Sequence, residues 1–123
     1  MFAGDARSPS AARSFVTSAV GQLLGQNASA ALCEDLELIA SELVTNAVRA
    51  GSETIGVSLA LEDDRIVIRV SDEASGWPEA RDADIYDTGG RGLPLVSAIS
   101  TSWGVRLSPN GKVVWAELRV LGD

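Results

Sequence analysis

Apolar residues recur at helical spacing in the first half of the chain and alternate in the second. Over 10–24, Phe15, Val16, Ala19, Val20, Leu23 and Leu24 fall every three to four positions, which predicts an amphipathic helix. Ser8-Pro9 supplies its start, with Ser as N-cap and Pro in the first turn. Gly21 weakens this helix and Gly25 can end it. Leu32, Leu36, Ile39, Leu43 and Ala47 define the buried stripe of a second helix. Asn27 or Ser29 can cap it, and it is expected to run to about Ala50 and stop at Gly51.

The period then drops to two. Ile55, Val57, Leu59 and Leu61 alternate within 54–61, and Ile66, Ile68 and Val70 within 65–72. Two strands joined by the charged turn Glu62-Asp63-Asp64 follow from this pattern. The stretch 73–92 has no apolar period and holds Gly76, Pro78, Gly89, Gly90 and Gly92. Loops of about this length inside compact domains are usually functional. A short helix is predicted over 93–99, and strands over 103–107 and 112–120 joined at Pro109-Asn110-Gly111. On the last strand Val113, Trp115, Glu117 and Arg119 share one face, and Val114, Ala116, Leu118 and Val120 the other. Residues 1–8 read as a loose lead-in. The element order predicts one α+β domain over 1–123, a two-layer α/β sandwich whose mixed, mostly antiparallel sheet carries helices on one face.

Composition narrows the function classes. A chain of 123 residues, 46% of them hydrophobic, can bury a core without disulfides or metals. Its 17 acidic and 10 basic residues give a net charge of −7, the wrong balance for nucleic acid or an anionic membrane. Cys33 is the single cysteine and there is no histidine. An internal disulfide, a Cys/His zinc site, a Ser-His-Asp triad and a phosphoacceptor histidine are therefore excluded. No segment approaches the ~18 apolar residues of a membrane span. The opening MFAGDARSPSAAR lacks the apolar region of a secretory signal, so a cytoplasmic protein is expected. Trp77, Trp103 and Trp115 read as core or partner contacts, and Cys33 as a quiet, partly buried thiol.

Three local features carry candidate chemistry. Glu42 and Asn46 lie one turn apart on the second helix. Asn46 falls roughly 70° from the centre of the apolar stripe and Glu42 about 110° from it. They could serve as a base and a metal ligand, or simply border a solvated helix edge. Asp72 ends the inward row of Ile66, Ile68 and Val70. A carboxylate there is costly unless paired; it could accept from a ligand amino group, or cap a turn. Gly89-Gly90-Arg91-Gly92-Leu93 enters a helix. Glycine backbone N–H groups, a helix N-terminus and a guanidinium suit a phosphate, and a flexible helix-entry turn is the plainer alternative.

Taken in order, these features resemble the N, G1 and G2 boxes of the Bergerat-fold (GHKL) ATPases, and within them the short anti-sigma-factor serine/threonine protein kinases. SELVTNAVRAG at 41–51 resembles the N box, VSDEASGWP at 70–78 the G1 segment and GGRGLPLV at 89–96 the G2 segment. TSWGVR at 101–106 and GKVVWAEL at 111–118 resemble the closing hairpin. The resemblance implies a Bergerat ATP-binding fold with ATP and Mg²⁺ as ligands. Asn46 would hold the metal, Glu42 would be the general base and Asp72 would accept from the adenine amino group. Gly76 would let backbone approach the nucleotide. Residues 79–92 would form the lid, with Gly90, Arg91, Gly92 and Leu93 at the phosphates.

The implied partners are a sigma factor, an anti-sigma-factor antagonist of the STAS type phosphorylated on Ser or Thr, or both, with a homodimer as the common assembly. Three positions depart from the family pattern: Ala50 replaces a usual His, Ala74 a Gly, and Val113 a Thr whose hydroxyl would support the adenine site. The usual N-terminal strand is short or absent. These departures favour an alternative, a non-catalytic partner-switching regulator with weak or lost nucleotide binding. A third reading, the ATP-binding half of a split histidine kinase, lacks a dimerisation helix pair.

Overall fold

The computed structural model describes residues 2–5, 7–72, 92–108 and 111–120. Helix α1 spans Ser8–Leu24 and α2 spans Ala30–Arg49, separated by a single 3₁₀ turn at Gly25–Asn27. Strands β2 (Thr54–Glu62) and β3 (Arg65–Asp72) form a hairpin. Helix α3 (Gly92–Ile99) precedes a second hairpin, β4 (Ser102–Ser108) and β5 (Gly111–Arg119). A two-residue strand, β1 (Phe2–Ala3), pairs with the start of β2. The sheet order is β1-β2-β3-β5-β4.

Several expectations are corrected here. Every pairing among the described strands is antiparallel, so the mixed component is not seen among them. The lead-in is not wholly irregular: Phe2 lies opposite Ile55 and Ala3 opposite Thr54. Gly4 then continues the contact, its N–H donating to the Glu53 carbonyl at 2.9 Å. Only glycine fits there, because a Cβ would stand 1.6 Å from the Ser52 carbonyl oxygen. Ser8 is the first residue of α1 rather than its N-cap, a position taken by Arg7. The chain turns one residue earlier than expected, because Asp5 accepts from Arg7 N–H at 2.9 Å and Ser8 N–H at 3.1 Å.

The other boundaries follow the sequence signals. Gly25 ends α1 with φ at 55°, and Ser29 caps α2, its Oγ accepting from Leu32 N–H at 3.0 Å. Alternation puts Ile66, Ile68 and Val70 of β3, and Val114, Ala116 and Leu118 of β5, against the helices. They meet Val16 and Val20 of α1, Leu36, Ile39 and Leu43 of α2, and Val96 of α3. The described helices therefore sit on one face of the sheet, as expected of a two-layer α+β sandwich. The other, open face carries none of the described helices, and there Trp115 lies over Gly104, where a Cβ would come within 2.8 Å of the indole.

Burial falls along β2 toward its hairpin turn: Ile55 is fully buried and Leu61 is 42% exposed. Ile68→Ala in the core should destabilise the fold by about 2–5 kcal/mol. Leu61→Ala should stay within about 0.5 kcal/mol of the parent. Urea denaturation of both variants checks this, and equal losses would mean that the hairpin end is packed as tightly as the core.

Candidate functional site

The site begins with the width of the α2 interface. α2 packs on α1, on α3 and on the sheet, so its buried surface extends beyond the five-residue stripe. Ala40 and Val44 are buried with it, and so is Asn46, which is completely inaccessible. Asn46 is therefore not on a solvated edge. Among the described residues, neither its amide nitrogen nor its amide oxygen has a hydrogen-bond partner. A buried amide in that condition is disfavoured, and native proteins rarely keep one without a reason. Glu42, one turn earlier, is half-buried and forms no ion pair among the described residues.

The second part of the site is the end of β3. Asp72 continues the inward row and is buried. Across the strand pairings it lies opposite Ile55 on one side and Lys112 on the other. Lys112 Nζ stands 2.9 Å from Asp72 Oδ2, and the side chains are only 3% and 2% exposed. Opposite charges at this separation form a buried ion pair in which each offsets part of the other's desolvation cost.

Lys112 is the residue beside Asp72 that the sequence reading did not single out. Counting back by two from Leu118, Ala116 and Val114 already places it on the inward face. Val113, by contrast, points to the open face, where it lies with Arg69, Arg106 and Trp115. The expectation that a hydroxyl at 113 would support the adenine site is thus corrected: strand alternation turns position 113 away from Asp72.

Topology brings these groups to one end of the domain. α2 ends at Ala50, whose N–H donates to the Asn46 carbonyl at 2.9 Å. Gly51, with φ at 88°, lets the chain reverse. Ser52 is buried and anchors the link, its N–H donating to the Ala47 carbonyl at 3.2 Å and its Oγ to the Thr54 carbonyl at 2.7 Å. β2 starts two residues later, and its second residue, Ile55, is the cross-strand neighbour of Asp72. The last turns of α2, the end of β3 and the start of β5 therefore converge. Gly92 and Leu93 open α3, which packs on α2. Gly76, Gly90, Arg91 and Ala74 lie outside the described residues, as does the expected lid apart from Gly92.

Among the described residues no cluster of His, Cys, Asp and Glu could hold a metal by itself. No helix among them is long and apolar enough to cross a membrane. The described residues thus form a helix layer on an antiparallel sheet, with a buried amide on α2 and a buried acid ending β3. The chain belongs to the histidine kinase-like ATPase domain family, whose model matches residues 2–118. That membership suggests ATP binding. No curated protein matches the chain closely.

Breaking the buried pair on one side only, by Lys112→Met or Asp72→Asn, should destabilise the fold by about 3–5 kcal/mol. Replacing both partners with neutral residues should recover much of that loss. A urea double-mutant cycle measures the coupling, and strictly additive losses would show that the two side chains do not interact.

Proposed function

We propose that the protein binds Mg-ATP and acts as an anti-sigma-factor-type serine/threonine protein kinase, sequestering a sigma factor, phosphorylating an antagonist of the STAS type, or both. The observation that carries this reading is Asn46, a fully buried amide with neither polar atom partnered among the described residues, one turn beyond Glu42. Its carbonyl oxygen is a hard donor of the kind Mg²⁺ takes together with phosphate oxygens and waters. Bound there, the metal would neutralise phosphate charge.

The remaining roles belong to the chain. Asp72 accepts from the adenine amino group. Gly76 allows close backbone approach, and Gly90, Arg91, Gly92 and Leu93 surround the phosphates. The hydroxyl oxygen of the partner's Ser or Thr bonds to the γ-phosphorus, the bond to the β–γ bridging oxygen breaks, and ADP leaves. Glu42 receives the hydroxyl proton. Such chemistry needs positioning and charge neutralisation more than a protein nucleophile. The absence of histidine is no obstacle, because the phosphoacceptor lies on the partner. Competition between sigma factor and antagonist for this domain would switch transcription, with a homodimer as the working assembly.

One observation favours a second reading, a non-catalytic partner-switching regulator. Asp72, the acceptor assigned to adenine, already holds Lys112 at 2.9 Å. If the ammonium outcompetes the base, nucleotide binding is weak or lost.

Calorimetric titration with Mg-ATP, followed by transfer of labelled phosphate to a STAS-type antagonist, decides between them. Wild type should bind and transfer. Glu42→Ala should still bind, with transfer reduced about 10²–10⁴-fold. Asn46→Ala should lose the enhancement that Mg²⁺ gives to ATP affinity. No binding at millimolar Mg-ATP would remove the kinase reading and leave the regulator.

A further inference from the structure

We infer that Lys112 is a base-reading residue, forming with Asp72 a paired donor and acceptor that takes the edge of adenine and rejects guanine. The inference rests on the ATP-binding reading above and assigns a specificity determinant within that site.

Lys112 is the only lysine in the chain; the other nine basic residues are arginines. Exposed positions such as Arg7 and Arg119 are served by Arg, while the single ammonium is placed in the interior. Fold stability alone does not select an ion pair here, since buried pairs are often replaceable as a whole by apolar residues without loss. What the pair supplies is chemical: an anionic acceptor and a cationic donor 2.9 Å apart, on the helix-facing side of the sheet and at the end where Asn46 lies. The carboxylate offers lone pairs only and the ammonium N–H donors only.

The Watson–Crick edge of adenine is complementary to that arrangement. Its exocyclic amino group donates and the adjacent ring nitrogen N1 accepts. With the amino group on Asp72, N1 falls beside the ammonium of Lys112. Guanine reverses both groups: O6 would face the carboxylate, and N1–H would face the ammonium. Acceptor would meet acceptor and donor would meet donor. Phosphates held at the other end of the site prevent the base from turning over to escape this mismatch. Val113, which faces the open side, cannot take the role.

Full-length protein titrated with Mg-ATP, Mg-GTP and the Mg complex of 1-deaza-ATP tests the assignment without any substitution. 1-Deaza-ATP keeps the amino group and replaces N1 by C–H. Both analogues should bind about tenfold or more weakly than ATP, the loss expected for a hydrogen bond to a charged group. Lys112→Thr should bring the ratio of ATP to 1-deaza-ATP affinity close to one, and Lys112→Arg should restore part of it. Circular dichroism melts establish that each variant is folded at the assay temperature, and the wild-type analogue series stands if either is not. Equal wild-type affinity for ATP and 1-deaza-ATP overturns the role of Lys112 while leaving ATP binding intact. Tighter ATP binding by Lys112→Thr with an unchanged analogue ratio also overturns it, because the ammonium would then compete with the base. Failure of wild type to bind ATP at all removes the nucleotide reading itself and this inference with it.

Discussion

The row of side chains that β3 turns toward the helices is apolar for three positions and ionic at the fourth. Ile66, Ile68 and Val70 hold the sheet against α2, and the pleat that buries them also buries Asp72. β5 obeys the same constraint, with Val114, Ala116 and Leu118 inward and Lys112 inward after them. Register therefore couples core and chemistry. A slip of one residue between these strands would break the apolar rows and separate the two charges at once. The hydrophobic rows fix the pairing, and the pairing sets an ammonium against a carboxylate that would otherwise be costly to bury.

Helix α2 shows the opposite balance. Its partners on three sides bury nearly everything that faces inward, including an amide that no described residue satisfies. Folding alone gives no reason to bury an unpartnered amide at position 46. Sequences that specify a fold tend to be locally consistent, and departures concentrate where function requires them. Asn46 is such a departure, placed one turn from a half-buried glutamate at the end of the helix where the strand acid also lies.

Much of this was legible from residue order. The helical spacing of α1 and α2, the alternation of β2, β3 and β5, the cap at Ser29 and the stop at Gly25 each have a local cause and appear where that cause puts them. Helix and strand limits move by a residue or two where a backbone contact intervenes, as at Asp5 and Ser8. β1 was not legible, because two residues carry no period and their pairing depends on Gly4 fitting beneath Ser52. The burial of Asn46 was underestimated because a stripe drawn from the largest apolar residues ignores Ala40 and Val44, which widen the interface. Lys112 is legible only through the alternation of β5, which turns it inward beside Asp72 and turns Val113 outward.

The two ends of the site pose different problems to a ligand. At Asn46 a ligand relieves a deficit, since the amide has no partner among the described residues to give up. At Asp72 a ligand must share an interaction that already exists. On the proposed reading, affinity should come mainly from the phosphate end, where metal and phosphate oxygens supply the missing partner. Discrimination should come mainly from the base end, where a ligand is accepted only if its edge preserves the charge pair it joins. A purine with the wrong edge gains the same contacts at Asn46 as the right one, so selection between them has to be made where Lys112 and Asp72 meet.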